Sequence, residues 1–470
     1  MKNIKFYNLY KDSNIEWLGK IPSHWKVLKA KRLFNERSEK GHPNEPLLAA
    51  TQSKGVIPKS MYGKTTVTAS KNFETLKLVC KGDFVISLRS FQGGIEYAHY
   101  QGIISPAYTI LKPNEMVVDN YYRYLLKSKH FISGLTLLVT GIREGQNIDT
   151  VKFKDSYLPF PPIEEQIAIA KFIDFKLSKI DRFIQKKKQL IKLLNEQKLN
   201  VIYKAVTKGV NENVKLKPSG VLWLDNVPEH WKIDKIKYLL TKPIAGQWGT
   251  DPKDDLNDIV CLRVADFNDL DTKTEDLTIR NIEAREEQVL NFGDLLIEKS
   301  GGGEKTPVGR VVIFNKDFKA VTSNFVCKVS VIESKVLPTY MLYVFKAINC
   351  IKWNVLSIKQ TTGIQNLDSY SYFDNLIFLP DIKEQQEIIN HIDIENIAKN
   401  KLIQTIEKEI ELAQEFRTSL ISEAVTGKID VKDYKVPVLE EEELMYNDLE
   451  IGLEEELDMV AEDGETMEIE

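Results

Sequence analysis

Between Pro161-Pro162 and Gly209 the chain carries no Gly or Pro, and its apolar residues recur in alternating steps of three and four. Ile173, Leu177, Ile180, Ile184, Ile191, Leu194, Val201 and Ala205 form the stripe, broken at Lys187 and Lys198. This spacing predicts one long helix with a coiled-coil seam, opened by acidic residues suited to a helix amino terminus and stopped at Lys208-Gly209. A second such helix is expected from about Lys383 to Val425, with Ile392, Ile403, Ile406, Ile410, Ala413, Leu420 and Ala424 on the seam and Arg417 intruding. At 1.5 Å per residue each is a rod of roughly 60 Å. Seams of this length are ordinarily structural, so the helices read as a ruler and a docking surface and carry no chemistry.

Elsewhere the apolar runs are short and rich in β-branched residues: FVISLRS (84–90), GIISPAYTIL (102–111), DLLIEKS (294–300), GRVVIF (309–314) and NFVCKVSVI (324–332). Bounded by Gly, Pro, Asn or Asp, they predict strands, with helical stretches near 119–138 and 338–354. The fold class is therefore α+β, with mixed globular parts beside the two long helices.

The pattern is also written twice. IEWLGKIPSHWKVLKAKRLF (15–34) returns as VLWLDNVPEHWKIDKIKYLL (221–240), with Trp17, Leu18, Pro22, His24, Trp25 and Lys26 each recurring 206 residues later. Residues 146–209 return as 365–428 at an offset of 219 without a gap: Gln146, Asn147 and Asp149 match Gln365, Asn366 and Asp368; Ile163, Glu165 and Gln166 match Ile382, Glu384 and Gln385; Ala205-Val206-Thr207 matches Ala424-Val425-Thr426. Between these ends, residues 35–145 and 241–364 share little beyond a GDxxI signal at Gly82-Asp83 and Gly293-Asp294. Two copies of one scaffold related by a pseudo-two-fold therefore present unlike surfaces, each addressing its own target.

A chain of 470 residues needs at least two hydrophobic cores. With 43% hydrophobic and 28% charged residues and no apolar run long enough to span a bilayer, its composition is that of a soluble protein, and the opening MKNIKFYNLYKDSN has no secretory pattern, so a cytoplasmic location is expected. Cys80, Cys261, Cys327 and Cys350 are widely spaced and the six histidines form no zinc-ligand pattern, so neither disulfide nor structural metal is expected. The net charge of −4 hides an asymmetry: residues 440–470 hold fifteen Asp or Glu and no Lys or Arg, leaving 64 basic against 53 acidic residues in the rest. That balance suits either a lysine-rich solvated surface or a nucleic-acid-binding body.

Motifs for catalysis fail one by one. SGGGEKTPVG (300–309) has Lys299 and Glu304 where a phosphate-binding loop needs glycines. The only double proline, FPPI at 160–163, opens a helix and offers no methyltransferase loop for a flipped base. Asp294, Glu298 and Lys299 could suggest a metal-dependent nuclease, but the matching turn at Asp83 is followed by Ser87, and an ordinary strand fits better. His24 and His230 beside Trp25 and Trp231 read as a corner where the chain enters each domain.

The PxHW opening, the variable mixed segment, the PPIEEQ or PDIKEQQ passage into a long helix and the closing AVTxG, all in two copies to about residue 430, resemble the specificity subunit of type I restriction-modification enzymes. The resemblance implies two target-recognition domains (1–160 and 209–380), two antiparallel spacer helices (161–208 and 381–428) and an acidic tail (429–470). Each domain would read one half of a bipartite duplex DNA site. The helices would set the half-site spacing and bind two modification subunits, with restriction subunits joining. The subunit itself would be non-catalytic and bind no cofactor; S-adenosylmethionine, ATP and Mg²⁺ would belong to its partners. Loop residues able to bond base edges or phosphates are Arg89, Gln92, Arg143, Gln146 and Asn147 in the first domain, and Lys299, Lys305, Arg310, Lys359, Gln360 and Gln365 in the second. Gln146-Asn147 and Gln365-Asn366, shared by both halves, serve equally well as turn caps. The acidic tail is either a disordered solubilising end or a competitor with DNA for the basic surface. The rival from another class is a coiled-coil adaptor that recruits proteins and never meets DNA.

Overall fold

The structure, a computed structural model, describes residues 5–62, 72–88, 90–135, 138–140, 147–303, 306–361 and 364–435. The chain folds into two compact units, the first built from two stretches of sequence, residues 1–186 and the chain from 409 onward, and the second from the continuous stretch 187–408.

The first unit is organised by a four-stranded antiparallel sheet in the order Phe34–Arg37, Thr109–Pro113, Phe84–Ile86, Glu96–Tyr97. The strand after the GDxxI turn sits inside this sheet. Gly82 adopts φ +91°, and buried Asp83 closes the turn by accepting from the Cys80 amide at 2.8 Å and from Arg37 at 2.8 Å. The opening strand Lys26–Lys29 pairs antiparallel with Tyr157–Phe160, the last strand before the helix. The run 102–111 forms strands, as expected, but not one continuous strand. It divides into Gly102–Ile104 and Thr109–Pro113 in separate sheets, because proline at 106 cannot donate to a ladder. The helical stretch expected near 119–138 forms as two short helices, Asp119–Leu125 and Lys129–Leu135.

The second unit repeats this plan. Its sheet runs Ile244–Ala245, Val326–Val329, Asp294–Glu298, Val311–Phe314, again antiparallel throughout. Gly293 lies at φ +89°, and Asp294 accepts from the Asn291 amide at 2.7 Å while pairing with Lys328 at 2.9 Å, both side chains buried. Lys232–Lys235 pairs with Leu376–Leu379 in the register of the first unit. The variable segment adds a sheet of Ile279–Asn281, Asp258–Leu262 and Ala320–Thr322.

Both long helices form, as Ile163–Lys208 and Ile382–Val425. Within the first unit they run antiparallel: Arg417 reaches Asp181 at 3.3 Å, while Ala424 and Val425 share a core cluster with Ile169 and Ile173. Within the second, Ile202, Ala205 and Val206 share the core with Ile388, Ile389 and Ile392. Two of the charged breaks in the seam are spent on ion pairs, Arg417 on Asp181 and Lys198 on Asp269 at 3.6 Å.

The packed chain extends further than the expected tail boundary at 429. Ile429 and Val431 are buried in the first unit, Tyr434 stacks edge-on against Phe172, and Asp430 bridges to Lys5. The reason is local composition: the sequence IDVKDY alternates apolar with charged residues and turns its apolar side into the core, so the acidic run proper begins only beyond it. No helix among the described residues is long and apolar enough to cross a membrane.

Candidate nucleic-acid interface

The mount of each domain explains the doubled motifs. The first turn of the first long helix presents Glu165, which accepts Trp25 Nε1 at 2.7 Å, Tyr7 Oη at 3.1 Å and Lys432 Nζ at 3.0 Å, with His24 Nε2 at 2.6 Å. Burial works against ionisation of Glu165, yet the bonds from Trp25, Lys432 and His24 outweigh it and hold the carboxyl below its ordinary range. In the second unit Glu384 takes Trp231 Nε1 at 3.0 Å and His230 Nε2 at 2.8 Å. The next residue makes a second clasp. Gln166 donates to Pro161 O at 3.0 Å and accepts from Val118 N at 2.9 Å; Gln385 donates to Pro380 O at 3.1 Å and accepts from Leu337 N at 2.9 Å. Asp149 and Asp368 each cap a short helix by accepting two backbone amides. Asp155 gathers Lys29 and Lys31 as Asp374 gathers Lys235 and Lys237. The histidines thus belong to the mount, and its acceptors Glu165, Gln166, Glu384 and Gln385 were marked in the sequence only by their recurrence.

The loops on this mount hold the candidate readers. In the second unit Ser300–Gly301, Ile364–Leu367 and Ile358–Thr361 form a three-stranded sheet that brings Lys299, Lys359, Gln360 and Gln365 together. Lys359 and Gln360 are exposed; Lys359 meets Asp368 at 2.7 Å, a surface pair that binding can exchange at little cost. Half-exposed Arg310 bonds buried Glu298 at 3.2 Å, its guanidinium 5.9 Å from the Phe267 ring centre. Lys299 is partly buried, and its backbone ties Phe325 to Leu367. Gln365 departs from expectation. It is buried, and its carbonyl oxygen accepts the Val308 amide at 3.1 Å, bracing the glycine loop at that point. Its partner Asn366 is engaged by Ser300 at 2.7 Å, so these two brace a sheet where a turn cap was one expectation.

In the first unit Gln92 is exposed on the short helix Ser90–Gly93, and Asn147 lies on a strand opposite Thr140. Arg89, Arg143, Gln146 and Lys305 lie outside the described residues. Sequence reading passed over Trp248, set between Gly246 and Gly249. It is partly exposed, and the Arg280 guanidinium stacks 4.6 Å from its ring while bonding Asp251 at 2.5 Å. The imagined nuclease trio does not assemble, because Asp294 is consumed by Lys328 and Glu298 by Arg310. Among the described residues no group of His, Cys, Asp or Glu is arranged to hold a metal ion.

An internally duplicated chain, with one repeated mount under two unlike sets of loops, presents two different surfaces on one frame. The family model for the type I restriction modification DNA specificity domain matches residues 22–196, beginning at the proline of the first PxHW. The MjaVIII specificity subunit of Methanocaldococcus jannaschii is 24% identical over 362 residues, covering 76% of this chain and 81% of that protein. The EcoKI specificity subunit of Escherichia coli K12 is 22% identical over 334 residues, 68% of each chain. A chain solved in work on complex assembly and conformational transition of the type I R-M system has the same fold, with TM-score 0.61 and 15% identity over 86% of this chain and 98% of that one. These matches make the chain similar, over most of its length, to the specificity subunits of type I restriction-modification systems.

Proposed function

We propose that each unit reads one half of a split duplex site, and that the long helices set the half-site spacing and dock two modification subunits, to which restriction subunits add. The observation that carries this reading is the contrast between mount and loops. The bonds of Glu165, Gln166 and Asp149 recur at Glu384, Gln385 and Asp368, whereas among the described residues the surfaces beyond them differ in strand count and side chains. Such a chain needs no catalytic group of its own, and S-adenosylmethionine, ATP and Mg²⁺ fall to its partners. Gln92, Lys359, Gln360 and Arg310 are the described candidates for DNA contact. The adaptor alternative is not favoured by these similarities.

The test is to co-express the chain with its modification subunit and map methylated adenines on host DNA against a control lacking this chain. Methylation confined to one split motif is the expected result. A soluble complex that methylates no motif sinks the reading.

A further inference from the structure

The excess positive charge of the body is not shared between the units. Leaving out residues 440–470, the first unit holds 33 Lys and Arg against 23 Asp and Glu, the second 31 against 30. Nearly all the surplus lies in the first unit, and the acidic run is attached to that same unit. Its root is fixed by Ile429, Val431 and Tyr434 in the core and stands among lysines. Lys176 Nζ lies 5.4 Å from the Tyr434 ring, Lys432 bonds Glu165, and Lys5 bonds Asp433. With residues 440–470 counted, the first unit changes from ten positive charges in excess to five negative.

We infer that residues 440–470 bind the basic surface of the first unit and compete there with the DNA backbone, so that the chain suppresses its own non-specific binding. Residues 436–470 can span up to ~120 Å, whereas a unit of this size has a radius of gyration of roughly 17 Å, so every lysine of the unit is within reach. Tethering also gives the acidic segment an effective concentration on the order of mM, enough for weak carboxylate–lysine contacts to matter. Non-specific duplex binding is almost wholly an exchange of phosphates for counterions, and a string of carboxylates opposes it directly. Base-edge bonds are not replaced by carboxylates, so the loss falls on non-specific DNA more than on the target. The inference rests on the DNA-reading function proposed above.

The experiment compares the full chain, a chain lacking 440–470, and a full-length variant with those fifteen carboxylates changed to Gln or Asn. All are titrated against a fluorescent 30-base-pair duplex of arbitrary sequence at 50 and 300 mM salt. Both altered chains should bind about tenfold more tightly at 50 mM and less than about twofold more tightly at 300 mM. A labelled peptide of residues 440–470 should bind the shortened chain and be displaced by duplex. A photo-crosslinker in place of Glu450 in the full chain should mark residues 1–186 and 409–439. Equal affinities at 50 mM, a gain that persists at 300 mM, or crosslinks falling mainly on 187–408 would each overturn the inference and leave the DNA reading standing. A shortened chain that binds no duplex at either salt overturns both.

Discussion

Replacing Glu165 with Ala tests whether the mount is held by the bonds described. Trp25 is fully buried, so its indole N–H is left without an acceptor and without water, a loss of about 1–3 kcal/mol. His24 and Lys432 are 36% and 43% exposed and regain water, adding no more than about 0.5 kcal/mol each. The sum is about 1–4 kcal/mol for E165A. E165Q keeps a carbonyl oxygen for Trp25 and should cost about half as much. E384A, which releases buried Trp231 and exposed His230 with no lysine or tyrosine partner, should fall between them. The assay is amide hydrogen exchange along 166–176 and 385–395, because each substitution should loosen its own unit first. The sign with pH follows from the depressed carboxyl: its contribution is present above the ordinary carboxylate range and lost as pH falls through the lower folded value, so wild type and E165A converge in acid. E165A within about 0.5 kcal/mol of wild type, or indistinguishable from E165Q, would refute the reasoning.

Three further outcomes follow from the same geometry. Burial pushes the Glu96 carboxyl up to about 7 despite Lys127 at 3.0 Å, so the folded first unit holds a proton that the unfolded chain releases near its ordinary value. Stability should therefore decline between pH 5 and 7 by on the order of 2–3 kcal/mol, and E96Q should flatten the curve in urea melts. A chain ending at Lys428 gives up buried Ile429 and Val431 together with Tyr434 and should lose on the order of 3–5 kcal/mol, whereas one ending at Lys435 keeps all three and should melt with wild type at about 300 mM salt, where the acidic segment is screened. In methylation-protected binding assays Gln360→Ala should relax one base position by about 1–3 kcal/mol. Lys359→Ala should weaken all duplexes alike and lower the salt slope by about one.

The long helices were legible because nothing in Ile163–Lys208 breaks a helix and the apolar spacing is sustained; their observed bounds match those expected. The mixed class of the domains was equally plain from the short β-branched runs. Hidden was the assembly of the first unit from two distant stretches, since Tyr121 bonds Val425 O across 304 residues and no local pattern announces such a partner. The inward turn of Gln365 was hidden for a related reason: it answers a backbone amide at Val308, a need created only when the glycine loop closes. Trp248 and Arg280 lie 32 residues apart, and the one signal for them was a large aromatic between glycines in a segment without a counterpart in the first copy.

The placement of the repeated bonds explains how one frame can carry different readers. The recurring bonds join the first turn of a long helix to the residues just before the opening strand, to the end of the last strand and to the helix N-cap at Val118 or Leu337, or cap the short helix before the last strand; among the described residues none draws on 241–298 of the second domain or 38–115 of the first. A segment exchanged within those limits leaves buried Trp25 and Trp231 with their acceptors and the helix amino termini with their partners. The core is more demanding, because the GDxxI strand crosses it: Phe84 and Ile86 in one unit, and Leu295 and Ile297 in the other, pack with the helices. This accounts for the one signal that the otherwise unlike segments share. A graft that keeps this strand and its aspartate turn can alter every exposed loop while preserving the mount, and one that omits it exposes the face of the long helix on which the domain rests.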